Sequence, residues 1–478
     1  MDSNKDYSGS TPRRDRVGVQ KLDILDLLCQ IMYLISITLS IVLVCCMYLL
    51  TYLPDQIVRG QNATNATNPA PLIRDPNLKV ELVAKHFNFP TAIDFLGNDD
   101  FLIAEKNTGN VYEVISGNIT GPLLHMDVGV KDERGLLGIS SSGNSNNSSQ
   151  ENSAVYLYHT QCIKDKVSDT QNCENHVSRY ELNRKNNTLT NPKLILTLPG
   201  LPGPSHNGGK LLMDKDGNLL VTVGDLQTTK FNQNKTGYDT KAQNILNGTS
   251  PDGRAGILRI TQDGKSVGSG ILGDDYPLNL YYAYGIKNSF GIGIDPLTDN
   301  LWDTENGPQF GDEINLVKPG FNSGWEKVQG IWKLNQTREK EDIFDDSEKE
   351  VEFVDFAGKG KYSAPEFIWD KPVAPTALVF LNSEKLGEQY ANDIFVGSAK
   401  KGTLFHFDLK SDRESLDLTG DLEDLLYSKK EDSSSIVFGE NFGVVTDLKV
   451  GPDGYLYVVS ASRGTDEGAI YRVVPISE

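Results

Sequence analysis

The chain has 478 residues, with 65 acidic against 46 basic side chains and a formal net charge of −19. That balance excludes a nucleic-acid-tracking surface, which needs clustered Lys and Arg; beyond that, acidity reports mainly solubility. Roughly 400 residues remain after the N-terminal region, enough for two ordinary domains or for one large all-β domain.

Residues 1–26 read as a polar, charged tail. From Leu27 to Leu53 the chain carries no charge, and at about 1.5 Å per residue this run reaches roughly 40 Å, enough to cross a bilayer with tilt. A cleaved signal peptide has a shorter apolar stretch and a small-residue cleavage site, so the run is predicted to be an uncleaved transmembrane anchor. Arg13, Arg14, Arg16 and Lys21 precede it and only Arg59 follows closely. The positive-inside rule then places the N-terminus in the cytoplasm and the bulk of the chain outside the cell membrane. Residues 54–75, rich in Pro, Asn, Thr and Ala, have linker chemistry.

Asn-x-Ser/Thr sequons at Asn62, Asn65, Asn118, Asn146, Asn147, Asn186, Asn234, Asn247 and Asn335 agree with an outside location, although an Asn- and Thr-rich chain also produces such triplets by chance. Cys29, Cys45 and Cys46 lie inside the apolar run. Cys162 and Cys173 flank a short polar stretch between two strand-like segments, which reads as a disulfide in an oxidising compartment rather than a zinc site.

After residue 75 a pattern recurs: a Gly/Asp turn, a short β-rich run, another turn, a second run. Leu219-Leu220-Val221-Thr222-Val223 and Tyr455-Leu456-Tyr457-Val458-Val459 are representative runs. Repetition every 50 to 80 residues or so predicts one all-β six-bladed β-propeller over residues 76–478; a two-domain β-sandwich is the competing reading. Asp214-Lys215-Asp216-Gly217 resembles half of a calcium loop but lacks the closing glutamate, and reads as a hairpin turn.

Several segments break the strand pattern with Gly and polar residues. His206, in Ser205-His206-Asn207-Gly208-Gly209-Lys210, is the most telling titratable group, since a loop histidine beside glycines can serve as a general base. A solvent-exposed or capping histidine is the plainer alternative. The Gly307–Glu313 loop offers carbonyls and carboxylates, the ligands a hard cation such as Ca²⁺ prefers, or it is an ordinary acidic turn.

Tyr284-Gly285-Ile286-Lys287-Asn288-Ser289-Phe290-Gly291, the stretch Thr304 to Gly320 followed by Asn322-Ser323-Gly324-Trp325, and the terminal Val445 to Val459 resemble the glucose/sorbosone dehydrogenase family. These are soluble aldose sugar dehydrogenases that use pyrroloquinoline quinone (PQQ), and matching stretches extend from about Phe87 to Arg472. The resemblance implies a six-bladed propeller with PQQ near the axis, an aldose substrate and an external electron acceptor. Carried over by position, it makes His206 the base for the sugar's C1 hydroxyl and Asp312 the carboxylate that orients it. The carbonyls of Gly307 and Pro308 match the holders of a Ca²⁺, and Glu313 with Ser323 those of a second, structural one. Lys287, Asn288 and Lys400 fall at cofactor-contacting positions, and Glu133 where many members carry glutamine.

The chain also departs from the family. Val444 and Thr446 occupy positions where PQQ-using members present arginines, and Lys287 stands for another arginine, losing its bidentate fork. Each lost charge-assisted contact is worth about 1.5–3 kcal/mol; Arg134 and Lys401 are the nearest cations in sequence that could compensate. Besides the PQQ- and Ca²⁺-dependent dehydrogenase, two readings stay open: a non-catalytic propeller that binds a glycan or protein partner, and a pocket for a less anionic cofactor.

Overall fold

The computed structural model describes residues 69–476 apart from 143–152, 165–170, 227–238, 336, 346–350, 429–432 and 462–466. The predicted tail, the predicted anchor at 27–53 and residues 54–68 of the linker lie outside the described residues. Among the described residues no helix is long and apolar enough to cross a membrane. Ala70 to Glu478 form one compact unit.

Strands build almost all of it. Sheet A comprises Pro90–Gly97, Asp100–Glu105, Asn110–Ile115 and Asn118–His125; sheet B comprises Leu136–Ser141, Ala154–Lys164, Gln171–Asn183 and Thr188–Pro199. Sheet C runs Leu211–Met213, Leu219–Val223, Gly256–Ile260, Tyr281–Tyr284, and sheet D runs Ser289–Ile294, Leu301–Glu305, Asp312–Val317, Phe367–Trp369. Sheet E holds Pro375–Phe380, Ile394–Ser398, Leu404–Phe407 and Val437–Glu440. Sheet F holds Val444–Val450, Leu456–Ala461 and Gly468–Pro475, and takes its last strand, Leu78–Phe87, from the start of the unit. All four-strand sets are antiparallel meanders, and short parallel strands extend sheets C and D. A small three-stranded sheet, Val328–Gln329, Trp332–Leu334 and Lys340–Ile343, stands apart.

The inner strands of neighbouring sheets face one another in a closed circuit: A meets B, B meets C, C meets D through its second strand, D meets E, E meets F, and F returns to A. The apolar residues explain this propeller-like arrangement. Side chains alternate between the two faces of a strand, and here both faces are covered. Tyr156 and Tyr158 pack toward sheet C with Leu219, Val221 and Val223, whereas Val155 and Leu157 pack toward sheet A with Leu102 and Ala104. Leu220 turns the other way, toward Ile292 and Leu301 of sheet D. An unbroken run such as Leu219–Val223 is therefore the pattern of a strand buried on both faces. Near the axis the sheets converge and only small residues fit. A Cβ at Gly138 would lie 2.0 Å from the Gly209 carbonyl oxygen, and one at Gly291 2.7 Å from the Ala377 carbonyl carbon.

Two sequence expectations shift at the edges. The linker was read to residue 75, but Leu72–Ile73 already pairs with Gly439 and Glu440 of sheet E, and the Tyr390 hydroxyl donates to Asp75; apolar Leu72 and Ile73 supply strand residues that the surrounding Pro and Asn disguise. Cys162 and Cys173 sit directly opposite each other on adjacent strands of sheet B and are disulfide-bonded. Asp214 accepts from the Asp216 and Asn218 amides, closing the hairpin turn between Met213 and Leu219.

Candidate active site

His206 sits on the loop that enters sheet C, with a left-handed backbone (φ 60°) that favours glycine and costs a residue with a Cβ about 1 kcal/mol or more. Three contacts hold it there. Glu133 Oε2 accepts from the His206 amide at 2.6 Å and from the Asn207 amide at 3.3 Å. The His206 carbonyl accepts from the Leu226 amide, and Gly224 leaves the room for it, since a Cβ there would come within 2.3 Å of that oxygen. The imidazole Nδ1 lies 2.6 Å from Asp225 Oδ1, and the other oxygen of that fully buried carboxylate accepts from the Trp325 indole at 2.8 Å. A carboxylate can only accept, so Nδ1 carries the proton and Nε2 the lone pair. The Lys287 ammonium donates to Nε2 at 3.3 Å and to the Asn306 carbonyl at 3.0 Å. Burial pulls its pKa below the usual lysine range, opposed by Asp225, Glu133, Asp312 and Glu305.

Asp312 does not orient His206. Its Oδ1 accepts from the Gly307 amide (2.9 Å) and its Oδ2 from the Val373 and Ala374 amides (2.8 Å each). It ties the Gly307-Pro308 loop to the turn before sheet E. Burial still raises its pKa, against the lowering effect of those three amides. The orienting carboxylate is Asp225, which sequence reading passed over. Its signal was a lone acid placed straight after the buried run Leu219–Val223, where an uncompensated carboxylate would be costly.

These groups open on a cavity of about 480 Å³. Glu133, His206, Lys287, Asn288, Gly307, Pro308, Asp312 and Thr446 all line it, as does Val444. Lys400 does not. It is exposed, its ammonium on the Pro372 carbonyl at 3.0 Å, and Ala399 forms the wall instead. Arg134 is buried elsewhere on the carbonyls of Gly200 and Gly203, and Lys401 is exposed. Lys106 and Lys210, which the sequence reading did not single out, line the cavity. A second cavity of about 650 Å³ shares His206, Lys287 and Pro308 with the first and is walled further by Phe310, Trp325 and the 337–340 turn.

Glu313 and Ser323 lie behind the cavity wall. Glu313 and Glu305 face each other across adjacent strands of sheet D, with Asp303 and Asn315 the next pair on that face. Ser323 Oγ donates to Glu305 Oε2 at 2.6 Å and to Glu313 Oε2 at 3.3 Å, and Gln329 Nε2 donates to Glu313 Oε1 at 2.8 Å. All three acids are fully buried. Burial pushes Asp303 and Glu313 up to about 7, and burial with the neighbouring Glu313 and Asp303 pushes Glu305 well above its usual range.

A family model described as Glucose / Sorbosone dehydrogenase matches residues 87–472, most of the chain. The chain belongs to the glucose/sorbosone dehydrogenase family. It is 28% identical over 288 residues to the aldose sugar dehydrogenase YliI of Escherichia coli, which covers 58% of this chain and 62% of that protein. The chain thus spans less than two thirds of that relative's length. With the quinoprotein glucose dehydrogenase B of Acinetobacter calcoaceticus it shares 23% identity over 451 residues, 83% of this chain and 89% of that one. Among solved structures, the apo form of the soluble aldose sugar dehydrogenase of Escherichia coli matches with a TM-score of 0.61 at 22% identity, over 83% of this chain and 99% of the other. The PQQ-bound aldose sugar dehydrogenase of Streptomyces coelicolor gives 0.53 at 20%, over 84% and 100%. Within the glucose/sorbosone dehydrogenase family these likenesses speak for the fold; residue roles rest on the geometry above.

The cavity has room and mixed charge for a quinone that carries anionic groups. Lys106, Lys210 and Lys287 line it together with Asp132, Glu133 and Asp312. The amide oxygen of Asn288, whose nitrogen donates to Glu133 at 3.3 Å, is buried with no hydrogen-bond partner among the described residues. The Gly307 and Pro308 edge offers the backbone oxygen chemistry a hard cation takes.

Proposed function

We propose that this chain is a PQQ- and Ca²⁺-dependent aldose dehydrogenase built as a six-bladed propeller, each of the sheets A to F being one blade. The observation that carries the reading is the His206–Asp225 pair: an imidazole fixed in the tautomer of a base, lining both cavities at once. Lys287, Asn288 and Thr446 would hold PQQ and the Gly307 and Pro308 carbonyls its Ca²⁺; when bound, the quinone supplies the acceptor for the C1 hydride. The sugar seats on the Trp325 and Phe310 side, where a flat apolar ring beside polar groups suits a pyranose face. Its C1 hydroxyl displaces the Lys287 ammonium from Nε2 of His206, which takes the proton. Asp225 stabilises the resulting imidazolium through Nδ1, and Trp325 keeps Asp225 from turning. Electrons leave to an external acceptor.

The predicted span at 27–53 anchors the propeller to the cell membrane with the N-terminus in the cytoplasm, and Glu313 with Ser323 holds a structural Ca²⁺. Asn118, Asn186 and Asn247 are exposed, as glycan acceptors on the outside require. Val444 and Thr446 on the cavity wall favour the second reading, a non-catalytic propeller binding a glycan or protein.

Titrating PQQ into the purified full chain with millimolar Ca²⁺, followed by dye reduction with a panel of aldoses, decides between them. Micromolar binding and turnover are expected, with His206→Ala cutting kcat about 10²–10⁴-fold while leaving PQQ affinity nearly unchanged. Absence of both binding and turnover would sink the dehydrogenase.

A further inference from the structure

Lys106 directly follows the second strand of sheet A and is only 8% exposed. Its ammonium donates to Asn107 Oδ1 at 3.1 Å and hangs 5.6 Å over the Phe89 ring. No carboxylate lies within ion-pair distance of it among the described residues. A buried cation without a counter-ion in contact is costly, and burial pulls its pKa down, with Glu133 and Asp132 acting against that at longer range. The backbone is shaped around it: a Cβ at Gly135 would come within 2.5 Å of Lys106 Cγ. Every other cation near the cavity is engaged or elsewhere. Lys210 is paired with Asp447, Lys287 is held by Asn306 and His206, Lys400 is exposed on the Pro372 carbonyl, and Lys401 is exposed.

Lys106 also stands where charge is missing. Its amide donates to the Phe89 carbonyl at 3.0 Å, and the next carbonyl, that of Pro90, accepts from Thr446 Oγ1 at 2.8 Å. Lys106, Phe89 and Thr446 all line the same cavity. The Phe89-Pro90 backbone thus links Lys106 to Thr446, and sheet A offers this cavity a positive charge that Val444 and Thr446 of sheet F do not.

We propose that Lys106 is the anion anchor of this cavity, binding a carboxylate of the quinone cofactor in place of arginines at 444 and 446. The inference rests on the PQQ reading above. An incoming carboxylate supplies the counter-charge that the neutral Asn107 amide oxygen cannot, so a lysine that lacks an ion-pair partner becomes a strong contact for an anion.

The test is PQQ affinity of the full chain with saturating Ca²⁺, read by calorimetry and by the cofactor's absorbance, for wild type, Lys106→Met and Lys106→Arg. Melting of the cofactor-free proteins confirms that each folds; Lys106→Gln replaces the methionine variant if that one does not. Loss of the charge is expected to weaken binding about 10- to 100-fold, with Lys106→Arg within about threefold of wild type. Unchanged affinity in Lys106→Met, or equal weakening in Lys106→Arg, would overturn the anchor while leaving the PQQ reading intact. No binding by wild type would sink the PQQ reading and the anchor with it.

Discussion

Asp225 and Asp312 are both buried carboxylates beside the base, and their hydrogen bonds separate their roles. Asp225 spends its oxygens on two side chains, His206 and Trp325, so its charge is available to an imidazolium. Asp312 spends its own on three backbone amides and fixes a loop. Asp225→Asn is expected to lower kcat by about 10²–10⁴-fold, because the amide favours the wrong histidine tautomer. Asp312→Asn leaves an amide nitrogen against a donor, costing about 1–3 kcal/mol of stability with kcat reduced far less. Paired melting curves and single-turnover rates separate the two, and equal loss of turnover in both would contradict the assignment. His206 was legible in sequence because glycines crowd it. Its partner was not: Asp225 follows a strand that runs alongside the loop, and nothing in local spacing says which of several acids meets a histidine across a sheet. Lys400 shows the same limit, one residue from a cavity-lining position and pointing away.

At the scale of elements, the two middle strands of sheet D set three acids close together on one buried face. Asp303 and Glu313 have folded pKa values of about 7, above the usual carboxylate range, because burial disfavours their charge. The folded chain therefore holds their protons more tightly than the unfolded chain. That contribution to stability is complete below the unfolded pKa values and is lost as pH rises toward 7. With chelator present, melting temperature should fall between about pH 5 and pH 7.5. Asp303→Asn, which keeps the shape and cannot ionise, should flatten that fall, removing about 1–3 kcal/mol of pH-dependent destabilisation. A variant as steep as wild type over that range would show that other groups carry the dependence. Reading along the chain finds Glu313 and Ser323 by resemblance, whereas Asp303 and Glu305 join them only through the strand register that pairs 303 with 315 and 305 with 313.

For the whole molecule, the turn-and-strand repeat made the sheets legible in sequence because each is a local meander whose turns carry Gly, Asp and Asn. How the circuit closes was not legible, since it depends on a pairing between the two ends of the folded unit. Leu78–Phe87 completes sheet F against Gly468–Pro475, so a strand from the start of the unit belongs to its last sheet. A ring of sheets without such a clasp exposes an unpaired edge and can open like a split collar. The clasp depends on its buried side chains: Leu78, Ala84 and Phe87 join the cluster that fills the space between sheets E, F and A, while Leu82 is 52% exposed. Phe87→Ala is expected to cost about 3–5 kcal/mol, because the cavity it leaves lies between sheets that cannot collapse without opening the ring. Leu82→Ala on the same strand should stay within about 0.5 kcal/mol. Urea unfolding followed separately by tryptophan fluorescence, which reports on sheet D through Trp302 and Trp369 and on the segments beside it through Trp325 and Trp332, and by far-ultraviolet dichroism tests whether the ring opens as a unit. Coincident transitions that shift together in Phe87→Ala mean that the clasp secures every sheet. A fluorescence transition left in place while the dichroism shifts would mean that sheet F peels away alone, and that closure stabilises only its own neighbourhood.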